Sequence, residues 1–111
     1  MLYKSFQGWK LSALGMGAMR LPVIDGDDSR IDEAAAEQMV AYAMESGINY
    51  YDTAWGYHNG QSELVLGRLL QKYPRESYFL ASKFPGYDLA NMDKVEEIFE
   101  KIGRASCRER V

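Results

Sequence analysis

Apolar positions along this chain recur with two periods, and the switches between them mark out its elements. After Asp32, a suitable N-cap, Ala36, Met39, Val40 and Ala43 fall at i, i+3, i+4 and i+7, and Gly47 supplies a stop. Leu66, Leu69, Leu70 and Tyr73 repeat that spacing before Pro74, and Val95, Ile98, Phe99 and Ile102 repeat it again. Short apolar runs suited to buried strands lie between and before them, at Leu14 to Met19, Ile48 to Tyr51 and Tyr78 to Lys83. Leu2 to Phe6 and Trp9 to Leu11 read as an opening hairpin that turns around Gln7 and Gly8. Leu21 to Arg30, with Pro22, Gly26 and the acids Asp25, Asp27 and Asp28, reads as a solvated loop without chemistry. Hairpin, strand, helix, strand, helix, strand, helix is an α/β order that calls for a parallel sheet with right-handed crossovers.

The strand ends carry the chemistry. Gly17, Asp52 and Lys83 each close a strand and lie 35 and 31 residues apart, about one strand-helix unit each. Neighbouring strands run about 4.8 Å apart, so adjacent second and third strands would end with Asp52 and Lys83 side by side. The stretch Gly47 to Gly60, GINYYDTAWGYHNG, places Tyr57 in the loop above that rim. A phenol with a pKa of about 10 is a poor acid near neutrality, but an adjacent ammonium favours the phenolate. Asp52 would hold Lys83 charged and oriented, leaving Tyr57 as general acid toward a carbonyl oxygen while a hydride reaches the carbon. The same residues also suit a rim salt bridge with a tyrosine packed above it, and the trio alone does not choose.

Composition narrows the function class. A chain of 111 residues, 47% hydrophobic and 26% charged, is ordinary globular protein of one small domain. Its amino terminus lacks the apolar core of a signal peptide and no run reaches membrane-spanning length, so the expected compartment is the cytoplasm. A net charge of −3 without a basic stripe speaks against nucleic acid as a partner. One histidine, His58, and one cysteine, Cys107, leave no metal-ligand cluster and no internal disulfide. Gly15 and Gly17, two apart, would face one side of a strand, which suits either a large ligand or a crowded strand end. Arg20 stands where a dinucleotide fingerprint needs its third glycine.

Three segments taken in order, LGMGAMRLP, GINYYDTAWGYHNGQSELVLGRLL and YFLASKFP, resemble the aldo-keto reductases over about residues 1 to 101. The resemblance implies an eight-stranded (β/α)8 TIM barrel, NADPH as the usual hydride donor, and a small-molecule carbonyl substrate. It matches Asp52, Tyr57 and Lys83 to the family's catalytic aspartate, tyrosine and lysine. It also matches Gly17, Ala18 and Met19, with Asp52 beside them, to the segment along the nicotinamide end of the cofactor. The opening hairpin resembles the one that plugs the amino-terminal mouth of these barrels. GAMRLP and WGYHNG look closer to the bacterial branch whose members often carry a carboxyl-terminal iron-sulfur domain, the place where any such cluster would sit. The alternative function is a nucleotide-binding sensor on the same fold, against which an intact proton-donating set argues.

Two departures qualify the resemblance. A complete barrel takes about 250 residues, so three of eight units are present, and the family's catalytic histidine would follow the fourth strand. The chain is therefore expected to be an amino-terminal fragment, inactive alone and prone to association through its open sheet edge. His58 does not replace that histidine and is expected to be exposed or on the substrate side, and Trp55 either lines a substrate pocket or covers the rim. From Ile102 the tail IGRASCRERV breaks the apolar spacing. These ten residues resemble one translated frame of a short-read library adapter, ATC GGA AGA GCG TCG TGT AGG GAA AGA GTG. Residues 102–111 are expected to be a non-native tail, with Gly103 to Val111 packed against nothing. The tail holds three arginines and one glutamate, so without it the formal charge of −3 becomes −5.

Overall fold

In the computed structural model, which describes residues 1–104, the chain opens with the antiparallel hairpin β1 (Tyr3–Phe6) and β2 (Trp9–Ser12). Gln7 and Gly8 at its tip have φ of 48° and 86°, the left-handed pair of a two-residue turn that matches strand twist. Trp9 rests on Phe79 with ring centroids 5.3 Å apart, and Ser12 exchanges hydrogen bonds of 2.7 and 3.0 Å with Asn49. Both contacts lie at amino ends of the strands described next, so the hairpin sits at that end of the sheet.

The remaining elements are β3 (Met16–Gly17), β4 (Val23–Ile24), β5 (Asp27–Ile31), α1 (Glu33–Glu45), β6 (Tyr50–Asp52), α2 (Gln61–Leu70), β7 (Phe79–Ala81) and α3 (Val95–Lys101). Strands β3, β6 and β7 form one parallel sheet in that order, with Gly17 opposite Asp52 and Asp52 opposite Ala81. The paired segments are shorter than the apolar runs, and hydrogen bonding goes on past their carboxyl ends. Single bonds continue the ladder there: Ala18 N–H to the Asp52 carbonyl (2.8 Å), Thr53 N–H to that of Ala81 (2.8 Å), and Trp55 N–H to that of Lys83 (3.3 Å).

Helix α1 begins where Asp32 accepts a hydrogen bond from Ala35 N–H at 3.1 Å. It ends at Gly47, whose φ of 93° lets its own N–H reach Met44 and the Ile48 N–H reach Ala43. Ala36, Val40 and Ala43 are buried, but Met39 is 43% exposed, a correction to the four-residue stripe. Met39 lies with Tyr42 along a groove that also contains Met1, Leu14 and Met16. On α2, Val65, Leu66, Leu69 and Leu70 pack on Tyr51 and Tyr78, whose rings meet edge to face at 6.3 Å. Ion pairs from Arg68 on α2 to Glu33, and from Lys72 just beyond α2 to Glu37, join this unit to the exposed side of α1. Leu70 is fully buried, so Leu70→Ala should destabilise the folded chain by roughly 3 kcal/mol, measurable by urea unfolding of the complete protein.

Three further expectations are corrected. Leu21 to Arg30 is not an open loop: β4 and β5 pair antiparallel around Asp25 and Gly26, with φ of 54° and 68°. Aspartate followed by glycine suits such a turn, which outweighs the run of acids. On α3 only Ile98 is buried, and Phe99 is 48% exposed although it stacks on Phe84 at 5.0 Å. Gly103 is buried, donating its N–H to both carboxylate oxygens of Glu63 at 3.0 and 3.1 Å. Packing therefore persists one residue beyond Ile102, through a backbone donor that any residue type offers, while Arg104 is exposed. Cys107 and the rest of the tail lie outside the described residues. Among the described residues no helix is long and apolar enough to cross a membrane.

Candidate active site

Level strand ends bring Asp52, Tyr57 and Lys83 together at the carboxyl rim. The Lys83 ammonium has three hydrogens and meets three acceptors: Asp52 Oδ1, the Thr53 carbonyl at 3.0 Å and the Tyr57 hydroxyl oxygen at 3.0 Å. Because the Tyr57 oxygen accepts from Lys83, its own hydrogen is free to point outward. Partial burial pulls the Lys83 pKa down, but the hydrogen bonds and charges of Asp52 and Tyr57 outweigh it and hold the group above its ordinary value. Tyr51, beside Asp52 in sequence, is the contrasting case. Burial pushes its phenol up to about 12 and its hydroxyl donates to the Ile48 carbonyl at 3.0 Å, so it offers no proton at the rim.

A tight turn delivers Tyr57. Its N–H bonds the Ala54 carbonyl at 3.2 Å, after which His58, Asn59 and Gly60 have φ of 54°, 54° and 90° before α2 starts. Left-handed backbone is costly at a histidine, and its side chain shows what holds it there. His58 is 3% exposed, a correction to the exposed or substrate-side placement. Its Nε2 accepts the Leu21 N–H at 2.9 Å, which leaves Nδ1 as the protonated nitrogen, 2.8 Å from the Asp28 carbonyl and 3.2 Å from Asp28 Oδ1. The ring thus binds the Tyr57 turn to the β3 loop and to β5. A second buried link runs from Thr53 through Ser62, whose hydroxyl donates to the Ala18 carbonyl at 2.9 Å. Since Ser62 has one hydrogen, Thr53 must be the donor in their 2.7 Å contact.

The two glycines of β3 and its approach divide the two readings offered for them. A Cβ on Gly15 would meet the Tyr50 ring at 3.3 Å, so crowding explains that position, whereas one on Gly17 would meet nothing within 4 Å. Gly17 opens the rim directly beside Asp52, with Ala18 buried and Met19 half exposed after it. That open space leaves room for a flat ring to approach the backbone at Gly17. Trp55 is half-buried. Sequence reasoning missed the Thr53 carbonyl, for which no side-chain signal exists. It also missed Glu63, a buried carboxylate on α2 that accepts from Ser82 and from Gly103. Among the described residues no cluster could hold a metal ion.

Residues 13–110 match the model of the aldo/keto reductase family. Over 78 residues the chain is 36% identical to probable aldo-keto reductase 1 of Glycine max, covering 70% of this chain and 22% of that protein. It is equally similar, 36% over 76 residues, to the NADH-specific methylglyoxal reductase of Escherichia coli K12, covering 66% and 22% respectively. Among solved structures, the holo form of aldo-keto reductase AKR11C1 from Bacillus halodurans superposes with a TM-score of 0.57 at 35% identity, over 69% of this chain and 23% of that one. The chain therefore spans less than a quarter of the length of these relatives.

Proposed function

From a chain that belongs to the aldo/keto reductase family, we propose that the complete protein reduces an aldehyde or ketone to the alcohol, with NADPH as its usual donor. The bound nicotinamide would supply the hydride at the opening beside Gly17, Ala18, Met19 and Asp52. Tyr57 donates its outward hydrogen to the carbonyl oxygen as charge develops there. Lys83 steadies the phenolate left behind, and Asp52 with the Thr53 carbonyl keeps the ammonium in place. The single observation that supports this order of roles is the saturated ammonium. With its third hydrogen on the Tyr57 oxygen, the phenol can only donate away from the lysine.

The test compares the complete protein with residues 1–111 in carbonyl-dependent NADPH oxidation. We expect turnover from the complete protein and none from the short chain, because barrel phosphate sites are usually built after the seventh and eighth strands. Turnover by the short chain would overturn that view, and a complete protein inert toward all aldehydes and ketones would overturn the reductase reading. A cytoplasmic location and a non-native origin of residues 102–111 belong to the same proposal. The gene sequence past codon 101 tests the latter, and native codons identical to this tail would refute it.

A further inference from the structure

We infer that Arg20 recognises a carboxylate on the substrate, so that the site serves carbonyl compounds carrying one negative charge. The inference rests on the carbonyl-reductase reading and narrows its substrate class. Every other described arginine has a partner: Arg30 pairs with Asp25, Arg68 with Glu33 and Arg104 with Glu100, and Arg75 donates to the Tyr78 carbonyl. Arg20 has none among the described residues. Arg20 is exposed, but its backbone is fixed on both sides. Ala18 donates to Asp52 and accepts from Ser62, and Leu21, 4% exposed, donates to buried His58.

Between these anchors Arg20 lines a cavity of about 380 Å³ together with Tyr57, Asp28, His58 and Tyr87. Tyr57 and an arginine without a partner among the described residues therefore line one space. A guanidinium presents a rigid fork of donors that fits a carboxylate in two parallel hydrogen bonds. Asp28, the other charged group on the cavity wall, is joined to His58 and forms no ion pair with Arg20. It leaves the arginine available and opposes a second negative charge, which points to a monoanion. With the carbonyl held at Tyr57, a carboxylate elsewhere on the same small molecule would reach Arg20.

The experiment uses the complete protein, saturating NADPH and two aldehydes of equal ring size, 4-carboxybenzaldehyde and its neutral methyl ester. The parent should favour the acid in kcat/KM, and Arg20→Gln should lower the ratio of acid to ester by about 10- to 100-fold, as expected for loss of a hydrogen bond between charged groups. The loss should fall mainly on the KM of the acid, and Arg20→Lys should recover part of it. A parent indifferent to the carboxylate, or an Arg20→Gln variant in which both aldehydes suffer equally, overturns the inference while carbonyl reduction stands. Failure of the parent to reduce either aldehyde overturns this inference, while the reductase reading falls only if the complete protein is inert toward all aldehydes and ketones.

Discussion

Tyr57→Phe in the complete protein should lower kcat by about 10²- to 10⁴-fold, the range for removal of a positioned general acid. Phenylalanine preserves the ring and removes one oxygen, so the loop should keep its course and NADPH should bind within about twofold of the parent by fluorescence titration. Because the missing interaction strengthens only as charge reaches the carbonyl oxygen, kcat and kcat/KM should fall together. Tyr51 cannot replace the donor, since its phenol is pushed up to about 12 and its hydroxyl is committed to the Ile48 carbonyl. Single-turnover rates of aldehyde reduction measure the chemical step directly. A phenylalanine variant reducing aldehydes at close to the parental rate would refute the acid assignment.

That convergence was readable in sequence because it depends on few things. A crossover of about 30 residues makes β6 and β7 parallel neighbours that end level at Asp52 and Ala81, and Lys83, two residues past Ala81, reaches back to Asp52 at the same rim. The hairpin of β4 and β5 hides behind a run of acids that reads as a loop, although Asp25 and Gly26 carry its turn signal. His58 misled for another reason: its burial depends on left-handed backbone at its own position and on partners 30 and 37 residues away, neither of which spacing encodes. Met39 and Phe99 have the right helical period but sit on the flank of the buried face, where period alone does not say what lies opposite. The Gly103 contact with Glu63 was invisible for the plainest reason, since a backbone N–H carries no sequence identity.

Lys83→Met should reduce kcat on the order of 10²- to 10³-fold, the scale for removing one preorganised electrostatic donor. Methionine keeps the length of the side chain and leaves the Tyr57 oxygen, the Asp52 carboxylate and the Thr53 carbonyl without their shared donor. The parent lysine is held above its ordinary pKa, since partial burial is outweighed by Asp52 and Tyr57. The sign follows from that direction: favouring the charged form stabilises the fold below the ordinary lysine value, and the contribution is lost only as pH rises through the raised one. Lys83 therefore keeps its charge across pH 6 to 9, and any change in parental rate within that window must come from other groups. Asp52→Asn should cost less, roughly tenfold, because the amide oxygen still accepts from the ammonium and two other acceptors remain. The decisive comparison is the double variant. If Asp52 acts by orienting Lys83, Asp52→Asn combined with Lys83→Met should be no slower than Lys83→Met alone. Losses that multiply would instead show Asp52 acting on the reaction by itself, and the lysine would no longer be the link between the carboxylate and the phenol.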